Sequence, residues 1–479
     1  MTPSNFTIVV CGAGLAGRMT ALALADNLSD AYQIVLIDSD PENQDDMFYG
    51  SVTAPTGYEF YRALGLDEPT LFSASRTSFS YGTRYQNWPG VPADWVQCHH
   101  QPLPAFDGVG LQHYLTRQNQ PLEPMLVSAV AARQGKFAHP PEDPAVPLSR
   151  AEYGYQFAPR DWSALLRSRL AGSRVEIVSE PIAGIHQTQD SIAEIKLQTG
   201  NTISGDLVVD CTGHARQVMA AIGGDFRPSR TVAARLTVQT AAQLGPPCRI
   251  VNASETGWTA QSYLQGEGHE LAVTDSAAAE AGQDRIFELG RLNDAWIGNC
   301  VAIGQAACVH DPITPAPMMA LQRDIERLLD LVPMQADSEA ERREFNRRFE
   351  DDAESAIAFE QAFFARPGQH NSPFWRGAET VEQSPRLSRK LAQFESRGVL
   401  AKYDLEPFND EDWTILHNGL GHRARRYDLQ IESVSRQDSE RRMIDLTRAV
   451  EQIVARMPPH HVYVANMKRY FEKQNYVRS

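Results

Sequence analysis

At 479 residues the chain is long enough for two or three structural units around a large core. Its apolar and charged fractions, 42% and 22%, are those of an ordinary globular protein. A net charge of -15 argues against nucleic acid or anionic membrane as a partner, and no apolar run approaches the length that spans a bilayer.

The six cysteines are scattered and form no CxxC or Cys/His cluster. That predicts reduced, buried thiols in a cytoplasmic protein with no metal site. The N-terminus has no basic region ahead of an apolar one, so no signal peptide is expected.

Phe6 to Cys11 is a short β-branched run, the composition of a buried parallel strand. It leads into a turn containing Gly12, Gly14, Leu15, Ala16 and Gly17, then into an Ala/Leu-rich stretch with helical character. A second apolar run, Ile34 to Ile37, ends in Asp38. This is a dinucleotide fingerprint in its required context. Gly12 permits a tight turn, Gly14 lets backbone approach a diphosphate, and Gly17 lets helix pack on strand. The helix start offers free N–H groups to phosphate, and Asp38 stands where a carboxylate accepts from a ribose diol. The competing reading is a Gly-rich turn without ligand. The strand, the helix and the terminal Asp together favour nucleotide.

Further on, Glu59 to Leu66 has helical spacing, and Thr77 to Tyr85 alternates polar and aromatic residues as one strand would. Trp88 to Pro104 has no period and reads as loop. Leu111–Arg117, Leu122–Arg133 and Arg160–Leu170 read as helices, with Val175–Val178 a strand after them. Two more stretches resemble the first in purpose. Gly205 to Gly213 is an apolar strand ending in Asp210-Cys211-Thr212-Gly213, which returns the backbone toward the nucleotide. Cys300 to Ala307 carries a turn at Gly304, followed by Asp311-Pro312 and a helix from Met318 to Leu331, so a second helix start faces the ligand. No second GxGxxG follows a strand, so electrons are expected from outside: from a separate reductase or from the substrate. Val232–Val238 and Trp258–Val273 read as strands of a smaller sheet, and the chain is helix-rich from Ser338 onward.

These three stretches resemble the FAD-binding elements of the flavin monooxygenase superfamily. Gly50–Pro55, Leu64–Glu68, Thr77–Gly82, Trp296–Leu331, Pro373–Arg376, Trp413–Gly421 and Met457–His460 are similar, more specifically, to flavin-dependent tryptophan halogenases. The resemblance implies an α/β, Rossmann-like FAD-binding box over residues 1–120, 150–235 and 290–335. Residues 236–289 and 336–479 would form a substrate-side sheet and a second, mostly helical domain. It also implies Thr53, Ala54, Asp210, Gly213, Gly304, Asp311 and Pro312 as cofactor neighbours, and a tunnel between flavin and substrate. Family members are often dimers, which makes a homodimer an expectation.

Halogenases of this family are understood to guide a hypohalous acid with a lysine and to assist ring substitution with a glutamate. Those parts are replaced here. The lysine position of the family's Thr-Phe-Lys-Leu-Gly falls on Ser80, which cannot form a chloramine and carries no charge. The glutamate of Glu-Pro-Leu-Glu-Ser-Thr falls on Thr314. Pro315 and Pro317 flank Ala316, where the family's halide-holding N–H groups belong, and proline has none. The Trp-x-Trp-x-Ile-Pro signature is reduced to Trp258–Tyr263.

The sequence therefore predicts a non-halogenating relative: an FAD-dependent monooxygenase or related oxidoreductase. Its substrate would be aromatic or indole-like, free or within a peptide, and reduced FAD would come from a separate flavin reductase. Ser80 and Thr314 would end the tunnel, either as hydroxyl donors or as inert fillers. His310 and His100 are candidate acid–base groups, with a structural role the alternative for each. Tyr81, Trp88, Phe374, Trp375 and Trp413 read as substrate pocket or as core. Two other functions stay open: a flavin-binding sensor or partner protein without turnover, and a halogenase with an altered site.

Overall fold

The computed structural model describes residues 6–12, 14–38, 44–91, 93–189, 191–333, 338–365, 372–401 and 406–478. The β-branched run becomes β1 (Phe6–Cys11), followed by α1 (Leu15–Asn27) and β2 (Tyr32–Ile37). Their apolar residues are buried without alternation, as expected of a sheet covered on both faces. β1 and β2 lie inside a six-stranded sheet, in the order Trp296–Ile297, Cys300–Ala302, Leu207–Asp210, β1, β2, Glu176–Val178. Every pairing in it is parallel except the first. Cys11 stands opposite both Ile37 and Asp210, and Asp210 opposite Ala302, so the carboxyl ends of four strands finish level. A crevice at such a line of strand ends is where an open α/β sheet holds a ligand.

A second, eight-stranded sheet runs Cys308–Val309, Arg285–Leu292, Phe226–Thr240, Glu267–Asp275, Gly257–Leu264, Arg249–Ser254, β4 (Gly82–Gln86), β5 (Trp95–Cys98). It draws on residues 82–98 as well as 226–309. Its inner face joins one apolar core with the C-terminal helices, including Phe359 and Trp413.

The strand expected over Thr77–Tyr85 is broken in two. β3 (Ser78–Ser80) pairs with Gly154–Gln156, whereas β4 joins the large sheet. The break falls at Gly82, whose φ is +138° and whose missing Cβ would lie 2.1 Å from the Gln97 carbonyl oxygen. The stretch read as loop contains β5, antiparallel to β4 with Tyr85 opposite Trp95. Its Trp and Pro content hid four residues of strand.

All six cysteines are buried free thiols. Among the described residues no helix is long and apolar enough to cross a membrane, and no group of His, Cys, Asp and Glu could hold a metal ion.

Candidate cofactor and active site

Gly12 sits where β1 leaves the sheet, with φ +142°, and a Cβ there would lie 2.1 Å from the Cys211 carbonyl oxygen. A Cβ on Gly17 would lie 2.0 Å from the Gly12 carbonyl oxygen. Backbone meets backbone at both positions, so only glycine lets α1 start directly on the sheet. Gly14 is the N-cap and supplies no side-chain acceptor, and the first turn of α1 carries no acidic residue. Leu15 N–H is thus a donor with no partner inside its own helix. It fits an anion.

Asp38 is buried at the end of β2. Its carboxylate accepts from Arg18 Nε at 3.1 Å and from Arg18 Nη2 at 2.8 Å. Two N–H groups leave lone pairs for a ribose diol, since a carboxylate accepts about four. Asp210, at the end of a third strand, is spent differently. It accepts from Thr212 N and Oγ1, Val218 N and Met219 N, which ties the strand end to the next helix. Burial raises its pKa, and those bonds work against the rise. Gly213, with φ +70°, and Gly304, with φ +63°, turn the third and fourth strand ends.

The second half of the site is a turn after Val309. Thr53 N donates to Tyr155 O and Thr53 Oγ1 accepts from Tyr155 N, both at 2.9 Å. Ala54, beside it, is buried. Gly50 meets Pro312 closely, its missing Cβ lying 3.1 Å from Pro312 Cβ. Arg249 holds these pieces together. It is fully buried and donates to Gly50 O at 3.0 Å, Pro312 O at 2.7 Å and Ile313 O. Tyr85 OH also donates to Ile313 O, at 2.8 Å.

The four expected catalytic residues fall in three places. Ser80 is fully buried on β3, its hydroxyl donating to Gly82 O at 3.0 Å and accepting from Gly82 N at 3.2 Å. It pairs with Gly154, whose own missing Cβ would lie 2.2 Å from Thr53 O, so Ser80 borders the Thr53 end of the site. Thr314 is buried on the Pro312 turn, and its Oγ1 accepts from Ala316 N at 3.1 Å. His310 Nδ1 lies 2.8 Å from Glu360 Oε1, and Glu360 Oε2 accepts from Asp311 N at 3.2 Å. Burial opposes the charged form of His310, but Cys308 and Glu360 outweigh it and raise its pKa well above the usual value. His100 lies apart. It pairs with Ala151, and its ring sits 3.2 Å from Ser128 Oγ. Burial, helped by Arg150, pushes its pKa down to about 3, so it is neutral.

Asp311 pairs with Arg230 at 2.8 Å. Burial, reinforced by Glu360, pushes its carboxyl up to about 6 against the pull of Arg230. In the unfolded chain the value is about 3.9. Between those values the folded state binds more protons, so this group's contribution to stability falls as pH rises from about 4 to about 6. Asp311→Asn should therefore gain on wild type by about 2 kcal/mol between pH 4 and pH 7. Urea midpoints at the two pH values check this, and a constant difference between the proteins refutes it.

The aromatic candidates are core. Trp88 Nε1 donates to Phe363 O and Trp375 Nε1 to Ser254 O, both at 2.8 Å. Tyr81, Phe374 and Trp413 are buried. Sequence reasoning missed Arg18, Arg249 and Asp46, the last of which meets Leu15 N. Arg18 alone left a signal, a charge inside an Ala/Leu helix one residue after Gly17. Arg249 and Asp46 act across long sequence separations and left none.

A family model described as tryptophan halogenase matches residues 7–436. The tryptophan 6-halogenase ThaL of Streptomyces albogriseolus is 23% identical over 439 residues, 81% of each chain. The tryptophan 7-halogenase RebH of Lentzea aerocolonigenes is 21% identical over 439 residues, again 81% of each. The fold is that of BrvH, a flavin-dependent halogenase from Brevundimonas sp. BAL3, at a TM-score of 0.87 and 24% identity, covering 97% of this chain and 99% of that one. Xcc4156, a flavin-dependent halogenase from Xanthomonas campestris, gives 0.87 and 22%, covering 96% and 98%. A match that runs from β1 past the last strand of the second sheet covers both halves of the site, and the chain belongs to the tryptophan halogenase family.

Proposed function

We propose that this chain is an FAD-dependent oxidoreductase that no longer halogenates and instead oxygenates an aromatic, indole-like substrate. FAD is the cofactor, with its reduced form supplied by a separate flavin reductase. When bound, it supplies the oxygen-activating chemistry of the reaction. The residues present do the rest. Gly12 gives the diphosphate backbone access at the start of α1, and Asp38, oriented by Arg18, offers its remaining lone pairs to the ribose. Arg249 fixes the Gly50 and Pro312 segments together, and Asp210 fixes the third strand end.

The observation that carries the reading is the pair Ser80 and Thr314. At these two positions, which the sequence resemblance matches to the family's lysine and glutamate, both hydroxyls are bonded within their own turns. Neither supplies an ammonium or a carboxylate to a hypohalite. The Ala316 N–H that remains between two prolines is engaged by Thr314 Oγ1 rather than offered to a halide.

The test couples the protein to a flavin reductase with NADH, FAD, bromide and a panel of indoles, read by mass spectrometry. An oxygenated product carrying no bromine is expected. A brominated arene overturns the reading. Flavin binding without any product favours the second reading, a flavin-binding partner protein, which the Ser80 hydroxyl, donating and accepting within its own turn, also supports.

A further inference from the structure

The helix start that suits a diphosphate already holds an anion. Leu15 N donates to Asp46 Oδ2 at 2.9 Å, a buried contact across 31 residues. Asp46 belongs to a 3-10 turn, Gln44–Tyr49. The same turn reaches the other two glycine turns. Asp45 O accepts from Gln305 Nε2 at 3.3 Å, and the Asp45 carboxylate pairs with His214 Nε2 at 3.3 Å and with Arg285. Tyr49 is buried, its hydroxyl 2.8 Å from the place a Cβ on Gly304 would take. Phe48 anchors the turn by stacking on Phe287, centroids 4.0 Å apart and planes 5° apart. One short segment thus caps the turns at Leu15, Gly213–His214 and Gly304–Gln305, the three places assigned to the dinucleotide.

We propose that Gln44–Tyr49 is an intramolecular stand-in for the cofactor's diphosphate, with Asp46 in the anion seat, and that FAD enters only by displacing it. The inference rests on the flavin reading above. One helix start satisfies one anion well, because a second negative charge at the same N–H is repelled by the first. Apparent affinity for FAD is then the intrinsic affinity reduced by the fraction of molecules in which the turn has left the cleft. Burial of Tyr49 and Phe48 keeps that fraction small, and the carboxylate–amide bond lowers it further, since charge-assisted bonds are about twice as strong as neutral ones.

The experiment titrates wild type, Asp46→Asn and Asp46→Ala with FAD and with ADP by calorimetry, and follows amide hydrogen exchange at Leu15–Gly17 in the free proteins. FAD and ADP are expected to bind both variants about five- to tenfold more tightly than wild type. The Leu15 amide should exchange slowly in wild type and faster in the alanine variant. Equal or weaker binding by the variants, with wild type still binding, overturns the proposal and leaves the cofactor reading standing. Unchanged exchange at Leu15 in the alanine variant also overturns it. Folded proteins that bind neither ligand, all three alike, overturn the cofactor reading and the proposal together.

Discussion

Gly17→Ala is expected to destabilise the fold by about 3–5 kcal/mol and to abolish saturable FAD binding. The new methyl would lie 2.0 Å from the Gly12 carbonyl oxygen and 2.9 Å from its carbon. Both are main-chain atoms, so no rotamer change relieves the clash. Gly12 cannot retreat, because its own Cα faces the Cys211 carbonyl. The remaining response is for α1 to lift away from β1. That helix is buried along nearly its whole length, from Leu15 to Ala25, so lifting it opens a gap on the sheet and withdraws Leu15 N from any anion. Gly377→Ala is the control. Gly377 lies in the helix Pro373–Thr380 and has nothing within 4 Å of its missing Cβ, so alanine there should be neutral or gain up to about 1 kcal/mol. Urea unfolding and FAD titration read both variants. A Gly17→Ala protein as stable as wild type would mean that the close approach of helix and strand is not required.

Arg249→Met should cost about 4 kcal/mol and weaken FAD binding as well. Methionine approximates the apolar stem but cannot donate. The carbonyls of Gly50, Pro312 and Ile313 would each lose a donor from a charged group, at about 1.5–3 kcal/mol per bond before relaxation. Lysine should rescue less than half, because an ammonium is a point charge and cannot fan out to three acceptors as the guanidinium fork does. Burial disfavours the charged form of Arg249, yet the residue lies 0% exposed, so the three carbonyls are what make its position tolerable. Loss of stability within about 1 kcal/mol for the methionine variant would show that the clamp is decorative.

What the chain reveals before folding follows from how far its signals reach. β1, the glycine turn, α1 and β2 form one contiguous unit in which each residue's reason is local: β-branching, a missing Cβ, a helix former, a terminal carboxylate. The strands ending in Asp210 and Ala302 are legible for the same reason, as is the helix Ala316–Asp330 behind its prolines. Residues 78–98 are not. Whether Tyr81 continues a strand depends on Gln97, which fills the space beside Gly82, and on Pro247, whose carbonyl accepts Tyr81 N–H at 2.7 Å. Nothing within the stretch itself carries that information. Ser80 and Thr314 were found through a family pattern, and their bonds to Gly82 and Ala316 are local. Asp46 and Arg249 become meaningful only after segments 31 to 199 residues distant have met.

The thiols add a practical corollary. Cys11, Cys211 and Cys300 crowd around the carboxylate of Asp210, and burial raises the pKa of each above the ordinary thiol value, with that carboxylate adding to the rise. A thiolate is the form that alkylating reagents and oxidants attack. Modification at these three positions therefore reports opening of the central sheet rather than solvent contact, and the rate of maleimide capture there, read site by site, becomes a clock for how often that sheet breathes.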